Sequence, residues 1–214
     1  MGPTSSLRRP EVVAALDVGS VRNLGWWRTF DGAGSGGTDL DEFCDVIASD
    51  LLAGQPFALG FEAPLWIPRA SSSTELGRAR VGDGSRAWSA GAGPTVLAYG
   101  LQQSTFVLDT LAAAAPGLSA GLDPVGWSAG SFQLLVWEAF VSATGKDRTA
   151  ADPHVSDARA AANACIQRLA RGDPTSDCEP DRVLSLGGLS LLVSGLARDT
   201  AVLGEAALVV RVAR

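Results

Sequence analysis

The stretch AALDVGSVRNLGWW, residues 14–27, contains the pattern that decides the fold. It joins two apolar runs through a short connection, and Asp17 stands at the end of the first run. Residues 12–17 (VVAALD) are apolar and partly β-branched, which is typical of a buried strand, and residues 24–30 (LGWWRTF) can pair with them through Gly19 to Asn23. The sequence therefore predicts an opening antiparallel hairpin with a carboxylate at its turn.

Two later apolar runs also end in an acid. Residues 56–62 (PFALGFE) end at Glu62 and are broken by Pro64, and residues 132–138 (FQLLVWE) end at Glu138. Both runs have the composition of buried strands. We therefore expect a carboxylate at the carboxyl end of three strands.

Helices are expected between these strands, because apolar residues there recur at helical spacing. Thr38 and Asp41 resemble a capping arrangement, and Asp152 with Pro153 suits the cap and first turn of a late helix. Residues 32–37 (GAGSGG) read as a flexible turn, and the types of segments 183–197 and 206–212 stay open. The predicted helices cover residues 39–53, 96–115 and 153–171, and a long Gly/Ser/Arg-rich loop covers residues 67–95.

Strands that alternate with helices after a hairpin predict an α/β fold of three layers, with a mixed central sheet and helices on both faces. The length of 214 residues suits a single domain, 1–214. With 46% hydrophobic residues, no membrane-spanning run and no apolar signal core before Pro10, we expect a soluble, cytoplasmic protein. The net charge of −6 argues against a pure nucleic-acid-binding module.

The strand-end acids are the residues that point to chemistry. Open α/β sheets place their sites at the carboxyl ends of strands, where Asp17, Glu62 and Glu138 are expected, and Asp157 at the start of the late helix can lean toward the same edge. Carboxylates that converge with no lysine nearby repel one another unless a divalent cation lies between them. Oxygen ligands favour Mg²⁺ or Mn²⁺.

Short motifs in this order resemble the ribonuclease H-like superfamily of metal-dependent nucleases. Those motifs are the D-x-G turn at Asp17, GFEAP on a middle strand and HVSDARAAANA opening a late helix. Within the superfamily the chain is most similar to the DUF429 group of predicted RNase H-like nucleases, through LGFEAPLWIP, RVGDGSR and VWEAF. It departs from that group's pattern at Trp66 and in lacking a proline after Glu138.

The resemblance implies a divalent-metal-dependent phosphodiester hydrolase that uses metal-activated water. Asp17 would bridge two Mg²⁺ or Mn²⁺ ions, Glu62 would hold one of them and Asp157 the other, with Glu138 as a fourth catalytic candidate. Arg80, Asp83 and Arg86 would form a substrate-facing loop whose guanidinium groups grip the phosphates of a nucleic acid or another phosphodiester.

Simpler interpretations of these residues stay open. Asp17 suits a turn, Asp157 suits the first turn of a helix on dipole grounds alone, and His154 suits a structural role at a helix start. The arginines suit a solvated loop. Two alternative functions follow: a non-catalytic binding protein on the same fold, and a phosphotransferase of the actin-like ATPase and sugar-kinase group, for which LSLGGLS, ending at Ser190, is a poor phosphate loop.

Overall fold

The computed structural model of the protein describes residues 9–84, 87–141, 146–147 and 149–212. Strand β1 (Val12–Asp17) pairs antiparallel with β2 (Gly25–Phe30), and Asp17 lies opposite Gly25. The expected opening hairpin is thus confirmed, with Asp17 as the last residue of its first strand.

The glycine-rich segment expected as a flexible turn is a strand, β3 (Ala33–Gly37), which pairs antiparallel with β2. Its glycines allow Trp27 of β2 to lie against it, because a Cβ at Gly34 would fall 2.2 Å from the Trp27 ring. A turn was the wrong prediction here because this packing on β2 compensates for the poor strand propensity of glycine.

The remaining strands complete a mixed sheet. Strand β4 (Phe57–Phe61) lies parallel to β1 on one side and to a later strand, Leu134–Val141, on the other. Two short strands, Ala120–Gly121 and Val209–Val212, also pair parallel with Leu134–Val141. A separate two-stranded pair consists of β5 (Trp66–Pro68) and β8 (Val183–Ser185). In chain order, Ala120–Gly121 is therefore β6, Leu134–Val141 is β7 and Val209–Val212 is β9. Across the described ranges the main sheet has seven strands, in the order β3-β2-β1-β4-β7-β6, with β9 also on β7.

The sequence predicted that Glu138 ends its strand, and this prediction is wrong. Strand β7 continues for three residues to Val141, because β9 pairs with Glu138 through Val141 and supplies a neighbour beyond the end of β4. Glu138 is therefore a buried residue within the sheet, with 1% of its surface exposed.

Helices cover both faces of the sheet, which makes the fold α/β in three layers. Along β1, Val12, Ala14 and Leu16 face one hydrophobic core, and Val13 and Ala15 face another. The first core contains the buried sides of the first, second and fifth helices, and the second core contains the third and fourth. The helices are α1 (Leu40–Leu52), α2 (Gly93–Ala114), α3 (Pro124–Ser128), α4 (Pro153–Ala170) and α5 (Leu186–Val193), with 3-10 turns at Ser73–Glu75 and Thr200–Gly204.

The helix ends refine two predictions. The cap of α1 is Asp39, whose side chain accepts a hydrogen bond from the Glu42 backbone, rather than Thr38. The predicted cap of α4 is confirmed, since Asp152 accepts from the His154 and Val155 backbone N–H groups. No helix in the described part of the chain combines the length and apolarity that crossing a bilayer requires.

Candidate metal centre

Three of the predicted acids meet at the carboxyl edge of the sheet. Asp17 ends β1, Glu62 directly follows β4, and Asp157 lies near the start of α4. One carboxylate oxygen from each lies within 4.8 Å of the others. Asp17 and Asp157 are 5% and 3% exposed, and the Glu62 side chain is 14% exposed. The sequence interpretation placed these residues together, and the structure has them so.

The strand register explains why two of these acids meet. Strands β1 and β4 are parallel neighbours, so their carboxyl ends lie at the same edge, and the Glu62 N–H donates to the Leu16 carbonyl at 2.8 Å. The third acid arrives because α4 begins against β2. Gly25 permits that approach, since a Cβ there would lie 2.3 Å from the His154 carbonyl carbon.

His154 contacts the centre directly. Its Nδ1 lies 2.5 Å from Asp17 Oδ2, and its side chain is 40% exposed, so the ring covers one side of the Asp17 carboxylate. The sequence left open a purely structural role for this histidine in the first turn of α4. Its contact with Asp17 instead makes it part of the candidate site.

Lys146 contradicts the premise that no lysine lies nearby. It is the single lysine of the chain, and its Nζ lies 2.5 Å from Asp157 Oδ2 and 3.4 Å from Glu62 Oε1. Burial lowers the pKa of Lys146, but the carboxylates of Glu62, Asp157 and Asp17 outweigh that effect and leave it above its usual value. The ammonium group is therefore charged and offsets part of the carboxylate repulsion.

The carboxylates still carry the electrostatic signature of a crowded site. Burial raises the pKa of Glu62 well above its usual value, and the Asp17 carboxylate raises it further. Burial also raises the pKa of Asp17, although His154 and Lys146 oppose the shift. Like charges that are held together in a poorly solvated site retain protons unless a cation replaces them.

The residues present fit a divalent cation. Among the described atoms, Glu62 Oε2 and Asp157 Oδ1 are buried and have no hydrogen-bond partner. Buried carboxylate oxygens without partners are costly, and a cation would satisfy them. The donor set consists of oxygens, which suits Mg²⁺ or Mn²⁺.

Glu138 and Arg80 form a separate, buried ion pair. Both guanidinium nitrogens Nη1 and Nη2 donate to Glu138 at 2.7 Å, Arg80 Nε donates to Asp83 at 2.8 Å, and the Leu65 N–H donates to Glu138 Oε2 at 2.9 Å. The guanidinium carbon also lies 4.9 Å from the centre of the Trp66 ring. The network ties the segment around Arg80 to the middle of the sheet.

This network differs from the expected roles of its members. Arg80 and Asp83 were expected on an open, phosphate-gripping loop, but their side chains are 2% and 0% exposed. Glu138 was expected in the acidic cluster, but Arg80 neutralises it instead. The physical reason is that a carboxylate buried inside β7 requires a paired, hydrogen-bonded counter-charge. Arg86 lies outside the described residues.

A cavity of about 400 Å³ adjoins the acidic cluster at Glu62. Its walls are mostly small and apolar, and the Arg80–Glu138 pair lies at one side. The volume is in the range of small-molecule sites. The residues that enclose it include Ala63, Pro64, Trp88, Val96 and Phe140.

Lys146 is the site residue that sequence reasoning missed. Its only signal was that it is the one lysine in a chain rich in arginine, between the strand that carries Glu138 and the helix that carries Asp157. Comparison of the chain with protein-family models, curated proteins and solved structures found no match.

Proposed function

We propose that the protein is a divalent-metal-dependent phosphodiester hydrolase of the ribonuclease H-like fold, similar to the DUF429 group of predicted nucleases. The observation that carries the proposal is the convergence of Asp17, Glu62 and Asp157, with two buried oxygens that have no hydrogen-bond partner within the described ranges. The mixed sheet with an antiparallel opening hairpin is the architecture that the resemblance implies, and it supports the proposal.

Each residue of the cluster has a stated task in this proposal. Asp17, Glu62 and Asp157 would hold Mg²⁺ or Mn²⁺, and His154 keeps the Asp17 carboxylate oriented through its 2.5 Å contact. Glu62 must lose its proton to act as a ligand. When bound, the divalent ion would lower the pKa of a water molecule and neutralise charge on the phosphate.

The reaction class is hydrolysis of a phosphate ester. The oxygen of water forms a bond to phosphorus, the bond from phosphorus to the leaving oxygen breaks, and the leaving oxygen takes up a proton. The apolar cavity beside Glu62 supports a substrate with an uncharged organic group next to the scissile phosphate. A nucleotide unit at a strand end or in a single strand has this character.

A non-catalytic binding protein on the same fold is the second candidate. The observation that favours it is Lys146, whose ammonium group already supplies a positive charge to Asp157 and Glu62. In that case the acids and the lysine form a structural ion-pair cluster. Calorimetric titration separates the candidates, because the hydrolase binds Mn²⁺ with saturable heat and the structural cluster does not.

The activity is tested with labelled DNA, labelled RNA and bis(4-nitrophenyl) phosphate, each incubated with Mn²⁺. We expect cleavage of at least one substrate by the parent protein, and a loss of about 100-fold or more in Asp17→Asn and Glu62→Gln. Asp41→Asn is the matched control, because Asp41 is exposed on α1 and outside the cluster. Equal cleavage by all four proteins, or none by the parent, would overturn the proposal.

A further inference from the structure

Lys146 places a positive charge beside two of the three carboxylates of the candidate metal centre, and this charge bears on how many ions can bind there. The inference rests on the proposed function and goes beyond it, since the resemblance implies two ions. Lys146 Nζ is 2.5 Å from Asp157 Oδ2 and 3.4 Å from Glu62 Oε1, so it stands among the same carboxylates as those ions. Its side chain is 30% exposed, so this lysine is half-buried rather than enclosed in the core.

In both Asp157 and Glu62, one carboxylate oxygen faces Lys146 and the other does not. Asp157 Oδ2 contacts Lys146, whereas Asp157 Oδ1 is buried and has no hydrogen-bond partner in the part of the chain that the structure describes. Glu62 has the same division, with Oε1 toward Lys146 and Oε2 without a partner among the described residues. Each of these two carboxylates thus has one oxygen facing the ammonium group and one buried oxygen that is available to a divalent cation once the carboxylate is ionised.

Charge balance points the same way. Three ionised carboxylates and one ammonium group carry a net charge of −2, which a single divalent ion neutralises. Two divalent ions would leave an excess of +2 in a poorly solvated cluster, and Glu138 cannot offset that excess because Arg80 already pairs with it.

We propose that Lys146 takes the place of the second metal ion, so that the centre binds one divalent cation and the ammonium group supplies the other positive charge to the scissile phosphate. Lys146 is then a catalytic residue that stabilises negative charge on the non-bridging phosphate oxygens. A lysine suits this task because its ammonium is a compact charge with three donors. The substrate class is a phosphate diester small enough to bring one phosphate to a recessed, single-ion centre.

The experiment measures Mn²⁺ binding to the full chain by isothermal titration calorimetry and by electron paramagnetic resonance. The parent protein is expected to bind one ion at the centre, with the spectrum of an isolated Mn²⁺. In Lys146→Met, affinity for that ion is expected to rise by roughly tenfold or more, because a repelling charge is removed. Phosphodiester cleavage by the same variant is expected to fall by about 100-fold.

Lys146→Arg is the matched control, since it keeps the charge and should therefore keep the stoichiometry and the Mn²⁺ affinity of the parent. Two ions with spin–spin coupling in the parent would overturn the inference and leave the proposed hydrolase standing. Unchanged affinity and cleavage in Lys146→Met would likewise overturn it. Absence of any Mn²⁺ binding in the parent and both variants would overturn the proposed function together with this inference.

Discussion

Three side chains far apart in the sequence form the candidate site, and the sequence pointed to all three, although it also pointed to Glu138, which pairs with Arg80 instead. Asp17 and Glu62 were predictable because each follows an apolar run, and parallel strands end at one edge of a sheet. Asp157 was predictable from its place at the start of a helix that returns to that edge. Lys146 was not predictable, because it lies between elements, where no periodicity indicates which way a side chain points.

The protonation of Glu62 predicts that metal affinity depends on pH. Because its pKa is raised above the usual value of 4.5, Glu62 in the metal-free protein still holds a proton at pH values above 4.5. This proton must leave when an ion binds. Mn²⁺ affinity should therefore increase as pH rises from about 4.5 through the raised pKa, by up to about tenfold per pH unit for each proton released.

Calorimetry at a series of pH values checks this prediction. Glu62→Gln carries no titrating carboxyl group and should show weaker binding with a flatter dependence on pH. An affinity that is constant with pH in the parent, or that falls as pH rises, would contradict the assigned role of Glu62.

At the scale of elements, the strands and helices were largely predictable, and the exceptions have physical causes. Strand β3 was missed because a glycine run has no strand signal of its own, and its stability depends on packing against Trp27. The extension of β7 beyond Glu138 was missed because it depends on pairing with Val209 and later residues, which are distant in the chain. Neither feature can be read from a local window of sequence.

The buried ion pair should dominate the stability of the segment around Arg80. Arg80→Met leaves Glu138 and Asp83 buried without their counter-charge, so we expect the free energy of unfolding to fall by about 3–5 kcal/mol. Arg78→Met is the matched control, because Arg78 pairs with Asp181 at the surface and should contribute less than about 1 kcal/mol.

Urea unfolding followed by circular dichroism measures both variants. A loss below about 1 kcal/mol in Arg80→Met would show that Arg80 is not the partner that Glu138 requires.

The contact between α4 and β2 predicts an effect of Gly25 on the site. A Cβ at this position would lie 2.3 Å and 2.4 Å from backbone atoms of His154 and Val155, so Gly25→Ala must push the start of α4 away. We expect a loss of about 1–3 kcal/mol in the free energy of unfolding and weaker Mn²⁺ binding, because Asp157 moves with the helix. Gly204→Ala is the matched control, because Gly204 is exposed, its φ is not positive, like that of Gly25, and a Cβ there would meet no atom of the described residues within 4 Å.

Thermal unfolding and Mn²⁺ titration report the two effects separately. If Gly25→Ala unfolds and binds Mn²⁺ as the parent does, then the approach of α4 does not depend on this glycine.

At the scale of the whole molecule, the packing of the core determines where the acidic cluster lies at the edge of the sheet. The helix that carries Asp157 also fills the second core with Ala161, Ala162, Cys165 and Leu169, so its position is set by packing rather than by the site. The three-layer arrangement was predictable from alternating strands and helices. The cavity beside Glu62 was not, because its walls come from segments that only the folded sheet brings together.

This cavity predicts a separation of substrate binding from metal binding. Val96 on α2 lines the cavity, so Val96→Trp should fill it and lower cleavage of phosphodiesters with large organic groups by raising KM, while Mn²⁺ affinity stays unchanged. Thr95→Trp is the control, because Thr95 is exposed on the same helix outside the cavity. Steady-state kinetics with bis(4-nitrophenyl) phosphate checks the prediction, and an unchanged KM in Val96→Trp would show that the substrate lies elsewhere.

The metal centre is tested most directly by soaking crystals of the full chain in Mn²⁺ and locating the ion by anomalous scattering. We expect an anomalous peak within coordination distance of carboxylate oxygens of Asp17, Glu62 and Asp157. Two results at saturating Mn²⁺ would contradict the assignment of this metal centre. One is the absence of a peak at these three residues, and the other is an ion bound elsewhere while only Lys146 contacts the carboxylates.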